Sequence, residues 1–395
     1  MTSHGRRRLV VMSAGRILGG AELSLLALAT RLPAHGWEVL LTCPPGPLAA
    51  RAGELGVPLD LVAWRTIAGI SDKSGGTKRY RVTGMASSVR DTARNGLRLS
   101  RLLRSAGATA VLSNSLPSHL VVALAGRLAG VPPLWYLREI VDPGPGRRVL
   151  EAAGRSVPTL LSISRAVTGA IRHPRVVTIP EPVEAPESWP PRRPLAGRRP
   201  LVGYLGRLDP RKGVEDVCHA AGSVDADFLV AGAPHLAPAS YAGELAALAE
   251  AEAPGRVRFV GAVPSPWELL AGVDVLVVPS RREPWGRVAA EALMSGVPVV
   301  AAGTGGLPEI VRDGVDGLLY PPGDVPALVA RLHRLLGDPA LHERLAAGAL
   351  AGAHRFDPSV HARHVAAALD GTVDGTLGRA AAHPVPPASP VGTGS

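Results

Sequence analysis

The stretch VLVVPSRREPWGRVAAEALMSGVPVVA, residues 275–301, decides the fold. It opens on an apolar run, Val275–Val278, that reads as a buried strand, and closes on a second, Val297–Ala301. Between them Arg287–Ser295 carries helical spacing, and Gly286 permits a tight turn with close approach of a ligand to the backbone. Strand, helix and strand in that order form the unit of a parallel sheet covered by helices. The helix would aim its leading N–H groups beyond the strand end, a natural seat for phosphate. Glu283 stands before the turn and Glu291 on the helix, eight positions on. Such a carboxylate pair can bind vicinal hydroxyls of a sugar or a ribose. Two glutamates at that separation alone are a frequent solvated pattern; the glycines and the strand context set this pair apart.

The alternation extends through the chain. Leu9–Ser13, Val39–Cys43, Ala110–Ser113, Leu134–Leu137 and Thr159–Ile163 read as strands of a first half, residues 1–185, with a helix at Ala21–Leu32. Leu201–Tyr204, Asp227–Ala231, Val257–Val260 and Gly317–Tyr320 join the two quoted strands in a second half, residues 201–355, where Tyr241–Ala251 is a further helix. The Pro/Arg-rich residues 186–200 read as a linker, because proline density there forbids helix and central strand. A helix over 356–370 is expected to cross back to the first half. The Gly/Ala/Pro/Ser-rich end, from Asp370 or 371 to Ser395, reads as a disordered tail, and Thr66–Ser88 as a loop. The expected fold is α/β, two Rossmann-like doubly wound domains facing a cleft, with ligands outside the carboxyl ends of the strands.

A second feature is GYLGRLDPRKG, residues 203–213, after the first strand of the second half. Arg207 and Lys212 could both reach a diphosphate, one as a fork and the other as a point charge. The glycine spacing matches neither the dinucleotide fingerprint nor a P-loop. A third is Gly19-Gly20-Ala21-Glu22 after the first strand, either a backbone platform or a turn feeding a helix.

Together these residues resemble the retaining GT-B glycosyltransferases of family 4 (glycosyl transferases group 1), typified by glycogen synthases and bacterial mannosyl- and N-acetylglucosaminyltransferases. GRL…KG, the E-x7-E block with GVPVVA, and GGLPEIVRDGVDGLL at 305–319 occur in order and at the usual spacings. The resemblance implies a hexosyltransferase that moves a sugar from a nucleotide-diphosphate sugar, by default a UDP-sugar, to an acceptor such as a secondary metabolite, a lipid carrier or a polysaccharide. It implies that Arg207 and Lys212 neutralise the donor diphosphate, with backbone N–H groups of Gly286, Arg287 and Val288. It places Glu291 on the ribose, Glu283 on the transferred sugar, Gly261 at the base, and Gly20 over the phosphates from the first domain. Glu309 reads as a helix-start residue. No metal and no cofactor beyond the donor are expected, since cations and amide dipoles can act where charge develops on the diphosphate.

Three departures stand out. Where many relatives carry a histidine, this chain has Leu137-Arg138-Glu139-Ile140, and His119 could substitute or be a helix-surface residue. Trp285 replaces the usual phenylalanine, and Pro180-Glu181-Pro182-Val183-Glu184 replaces the usual Asn-Gly-Val-Asp.

The composition, 46% hydrophobic and 19% charged in 395 residues, is that of a folded two-domain chain. Its net charge of +10 suits anionic partners or reflects arginine-rich codon usage. Cys43 and Cys218 lack disulfide or zinc spacing, and with no apolar run near the ~18 residues of a membrane span the expected location is cytoplasmic. The run after Arg6-Arg7-Arg8 is too short for a leader and reads as a first strand. Lys73, Lys78, Arg79 and Arg81 crowd the 66–88 loop, and Arg90, Arg94, Arg98 and Arg101 fall on one helical face, with Leu97 and Leu103 elsewhere. That face is either solvated or a peripheral contact with anionic membrane or a phosphorylated acceptor. Rival functions are a nucleotide-sugar epimerase of the same architecture, a non-catalytic polyanion-binding protein and a catalytically dead relative. No nucleic-acid recognition motif is present.

Overall fold

The computed structural model describes residues 7–15, 18–64, 82–191, 198–234, 237–238 and 240–376. Among the described residues the chain divides into two compact units, one formed by those within 7–182 together with 357–376 and the other by those within 183–356.

The first unit holds seven strands: β1 (Arg7–Met12), β2 (Trp37–Cys43), β3 (Leu59–Leu61), β4 (Ala110–Ser113), β5 (Pro133–Leu137), β6 (Thr159–Ser162) and β7 (Val176–Thr178). Its helices are α1 (Gly20–Arg31), α2 (Pro47–Glu54), α3 (Val82–Ser105), α4 (His119–Ala129), α5 (Pro145–Gly154) and α6 (Arg165–Gly169). The second unit holds β8 (Leu201–Leu205), β9 (Asp227–Ala231), β10 (Val257–Gly261), β11 (Val275–Val278), β12 (Val299–Ala302) and β13 (Gly317–Tyr320). Between and after them run α7 (Val214–Ser223), α8 (Tyr241–Glu252), α9 (Pro266–Gly272), α10 (Arg287–Met294), α11 (Leu307–Ile310), α12 (Val325–Leu336) and α13 (Pro339–Gly352). The last helix, α14 (Pro358–Val373), belongs to the first unit.

Both sheets are parallel, in the orders β3-β2-β1-β4-β5-β6-β7 and β10-β9-β8-β11-β12-β13. Each order reverses once, at β1/β4 and at β8/β11, which makes both sheets doubly wound. The continuous apolar runs explain this architecture. Strands β4, β5, β11, β12 and β13 are buried along their whole length, as a sheet covered on both faces requires. In the second unit Val202, Phe228, Val277 and Leu328 lie in one core, each contributing about 1.5–3 kcal/mol by leaving water. The late helices start where a capping aspartate precedes a first-turn proline: Asp324, Asp338 and Asp357 accept from Ala327, Leu341 and Ser359 N–H at 2.9, 3.0 and 2.7 Å.

Four expectations need correction. Val82–Ser88, read as loop, is the start of α3, which runs on through Gly84 and Gly96 to Ser105; Lys73, Lys78, Arg79 and Arg81 lie outside the described residues. The tail does not begin at Asp370 or 371. The Asp370 carboxylate accepts from Arg7 and from Trp37 Nε1, both at 2.9 Å, and this anchorage carries α14 on to Val373; residues 377–395 lie outside the described ones. Leu97 stands among the exposed arginines of α3, 48% exposed, while Leu103 is buried. Strands β3 and β7 were not expected, being only three residues long. No described helix is long and apolar enough to cross a membrane.

Candidate functional site

The loops after β8 and β11, adjacent strands at the reversal point of the second sheet, carry most of the expected site. After β8 the backbone passes Gly206 and Arg207 into a 3-10 turn, Pro210–Lys212, capped by Asp209, which accepts from Arg211 N–H at 3.0 Å. Arg211's guanidinium also grips Asp209, at 3.0 and 2.6 Å, and holds its carboxyl below the usual range against the opposing effect of burial. Lys212 is thereby fixed and reaches across to the loop after β11, where its Nζ donates to Glu283 Oε2 at 2.6 Å. The Ser280 hydroxyl donates to the same oxygen at 3.0 Å. The Arg281 N–H bonds the Arg211 carbonyl at 2.8 Å, tying the two loops together. A Cβ at Gly213 would strike the Pro279 carbonyl, so only glycine lets them approach this closely.

Arg207 is exposed, and its guanidinium makes no hydrogen bond among the described residues. Its carbonyl accepts from the Tyr204 hydroxyl at 2.7 Å. That hydroxyl is held protonated, first by burial and then by the nearby charge of Glu283, against a smaller opposing effect of Arg207. Arg207 and Glu283 therefore both lie near Tyr204, and Lys212 joins them through its bond to Glu283.

Helix α10 follows directly on Gly286, whose φ of 116° is open to glycine. No side chain caps it and no acid occupies its first turn, so its N-terminal end is left positive. Arg287 and Val288 are its first residues. Glu291 lies one turn on and is 6% exposed. Burial raises its carboxyl above the usual range, partly countered by Arg287, whose Nε donates to Glu291 at 2.8 Å. This i,i+4 pair was visible in the spacing but not read from it. Two glutamates at this separation are commonly solvated; Glu283 and Glu291, set apart in the sequence by the flanking glycines and strand, are both buried.

The loop bearing Glu283 is held from a third side. After β12, the Gly306 N–H donates to the Glu283 carbonyl at 2.9 Å, and a Cβ at Gly305 would collide with that same peptide. Trp285, 3% exposed, packs edge-on against Phe356 at 6.1 Å. Sequence reasoning quoted Gly305 only within a motif and gave it no role. Glu309 falls in the first turn of the short α11.

Gly261 ends the edge strand β10 and is exposed. Its carbonyl accepts from Gly232 N–H at 2.7 Å, and Gly206 N–H donates to Ala231 at 3.0 Å. A low ledge of backbone thus runs along the carboxyl ends of β8, β9 and β10.

Gly20 belongs to the other unit. It opens α1 beyond β1, at the reversal point of the first sheet, and the Gly19 N–H donates to the Glu22 carboxylate at 3.1 Å. His119, read as a helix-surface residue, is 1% exposed: its Nδ1 lies 2.6 Å from the Ser113 hydroxyl and its ring stacks on Trp135 at 4.9 Å. Burial pushes it down to about 3, so the ring is neutral. The Ser113 contact at the helix start, six residues back in sequence, turns it inward. Arg138 is also buried, 8% exposed. Among the described residues no group of three or more His, Cys, Asp or Glu could hold a metal ion.

Residues 187–350 match the model of the family described as Glycosyl transferases group 1. Among curated proteins, the chain is 33% identical to D-inositol 3-phosphate glycosyltransferase of Acidothermus cellulolyticus over 268 residues, 60% of this chain and 56% of that one. It is 34% identical to 2-deoxystreptamine N-acetyl-D-glucosaminyltransferase of Streptomyces fradiae over 222 residues, 52% of this chain and 50% of the relative. A D-inositol 3-phosphate glycosyltransferase of Streptomyces bingchenggensis is 55% identical over 84 residues, 21% of this chain and 18% of its own length. The chain thus spans about half the length of these curated relatives, or less. Among solved structures, Anabaena HepE in complex with UDP and glucose superposes with a TM-score of 0.74 at 21% identity, covering 93% of this chain and all of that one. At that identity the likeness speaks to the fold, two doubly wound parallel-sheet domains.

Proposed function

The second unit of this chain belongs to the glycosyl transferases group 1 family, and from that premise we propose that the protein transfers a sugar from a UDP-sugar to a small polyhydroxylated acceptor. The observation that carries the reading is the convergence of Lys212, Arg207, Glu283 and the uncapped start of α10 at one sheet reversal point. Lys212 is paired with Glu283. An arriving diphosphate competes for the ammonium and frees the carboxylate to accept hydroxyls of the transferred sugar. As the anomeric carbon–oxygen bond breaks, negative charge collects on the departing diphosphate. Lys212, Arg207 and the first amides of α10 are the donors that would meet this charge, and preorganised donors strengthen as charge develops. Glu291, steadied by Arg287, takes the ribose hydroxyls, and the ledge ending at Gly261 meets the base. Within the first unit, Gly20 at the start of α1 is the backbone suited to a phosphate.

For the acceptor, the names of the relatives supply the support. D-Inositol 3-phosphate and 2-deoxystreptamine are both six-membered carbocycles bearing hydroxyls, and an acceptor of that cyclitol class is the reading we favour. A second site of contact concerns α3. Arg90, Arg94, Arg98, Arg101 and Arg104 are exposed along it, with Leu97 in their midst, an arrangement suited to the surface of an anionic membrane.

The test is a thermal-shift and calorimetric screen of the protein against UDP-, GDP- and ADP-sugars, followed by product analysis with inositol, inositol 3-phosphate and 2-deoxystreptamine. A UDP-sugar should raise the melting point, since ligands that bind only the folded state stabilise it. Binding of no nucleotide sugar at all would end the proposal. Conversion of donor with no acceptor present would point to the epimerase instead.

A further inference from the structure

At the reversal point of the first sheet, a buried polar network leads from Arg138 to the first turn of α1. Arg138 follows β5 directly. Its Nε donates to Asn114 Oδ1 at 3.0 Å, and its Nη1 forms an ion pair with Glu181. Asn114, one residue beyond β4 and 1% exposed, passes the contact on: its Nδ2 donates to the Ala21 carbonyl at 3.4 Å. Glu181 does the same on the other side. Its Oε2 accepts from the Ser24 hydroxyl at 3.0 Å, and that hydroxyl also lies 3.0 Å from the Gly20 carbonyl. Two paths from one guanidinium therefore end on the consecutive carbonyls of Gly20 and Ala21. Arg138 lies over the ring of Tyr136 at 4.2 Å, and the Tyr136 hydroxyl is tied to the Ile179 carbonyl at 3.1 Å. The guanidinium is thus fixed from below as well.

We infer that Arg138 is a positioning residue: acting through Asn114 and through Glu181 and Ser24, it sets the first turn of α1 and with it the backbone of Gly20. The inference rests on the reading above of Gly20 as a phosphate-binding backbone. A guanidinium suits this task because its planar fork serves two acceptors at fixed angles, which an ammonium cannot do. Replacing one partner of a buried pair strands the other without a charge partner, so Arg138 and Glu181 act as a unit. Arg138 also has spare capacity, since its Nη2 is buried with no hydrogen-bond partner among the described residues.

Two substitutions test this on the full chain. Arg138→Lys keeps the charge beside Glu181 and loses the fork; Ser24→Ala removes one hydroxyl from the far end of the path and alters nothing at β5. Amide hydrogen exchange of a peptide spanning residues 18–28 should quicken in both, with slower or unchanged exchange in β5 and β6. The KM for UDP-sugar should rise about tenfold while kcat falls less, because a displaced binding backbone costs ground-state contacts first. Wild-type exchange at residues 18–28 together with wild-type KM in a folded variant would overturn the inference. So would loosening spread evenly over the first unit, which marks a purely structural role. If Arg138→Lys does not fold, Ser24→Ala decides alone. Absence of any UDP-sugar binding by the unmodified chain would sink the proposed function while leaving the exchange result to judge Arg138.

Discussion

Replacing Gly305 by alanine should break the site from behind, and Gly314 supplies its control. Both have left-handed backbones, with φ of 58° and 73°, so an added Cβ costs each about 1–2 kcal/mol. They differ in their surroundings. At Gly314 a Cβ meets nothing within 4 Å, whereas at Gly305 it collides with the peptide of Glu283. That peptide cannot easily withdraw, because its carbonyl bonds Gly306 N–H at 2.9 Å and its carboxylate is pinned by Lys212 at 2.6 Å and Ser280 at 3.0 Å. Crowding of this kind costs about 1–3 kcal/mol more. Gly314→Ala should therefore lose about 1–2 kcal/mol, and Gly305→Ala about 2–5 kcal/mol. At about 2–4 °C per kcal/mol the gap between the two melting points should be several degrees in scanning calorimetry. Turnover should separate them further, since only Gly305→Ala moves Glu283. If the two variants melt together and both turn over UDP-sugar at the normal rate, the role assigned to the Gly305 contact is wrong.

Lys212→Ala and Glu283→Gln should each lower kcat by about 10²–10³ with only a small change in melting point, which steady-state kinetics and calorimetry on the same samples will check. Glu291→Gln should trade stability against binding. The Glu291 carboxyl is raised in the fold, so burying its charge works against the folded state, and that penalty grows as pH rises from the unfolded carboxyl value through the folded one. The variant should melt no lower than wild type at pH 7 yet bind UDP more weakly by titration calorimetry. His119 and His361 are both pushed down to about 3 by burial and are neutral when folded. The unfolded chain takes up protons below an ordinary value of 6.5, so their contribution is complete above that pH and is lost as pH falls toward 3, by up to about 1.4 kcal/mol per pH unit each. Melting points from pH 7.5 to 4.5 should fall accordingly, and His119→Gln or His361→Gln should flatten the slope. Co-sedimentation with anionic vesicles should be lost when Arg94, Arg98 and Arg101 become glutamine; equal binding to neutral vesicles would refute the assignment of the α3 face.

Much of the fold was legible because parallel strands buried on both faces read as unbroken apolar runs. Val275–Val278 and Gly317–Tyr320 were bounded as the structure has them. The short strands β3 and β7 were missed, since three residues carry too little pattern to rise above loop. The start of α3 was hidden by its glycine, serines and threonine, residues with weak helix propensity that packing overrides. For the site, the residue types at 207, 212, 283, 286 and 291 stood out by their spacing after strands. How they pair did not.

What the sequence determined alone is the alternation of apolar runs and turns that imposes two doubly wound sheets, and the positions of charge and glycine at strand ends. That information is local: each run, turn and cap acts over a few residues, and elementary packing does the rest. Tertiary structure decided which groups meet. The Lys212–Glu283 pair spans 71 residues and the Arg138–Glu181 pair 43, and no spacing rule connects either. It also decided that His119 turns inward, that Asp370 is anchored rather than part of a tail, and that Leu97 stands outside among arginines. Burial and long-range contact belong to the folded chain as a whole, so they become definite only when both sheets and their covering helices are in place.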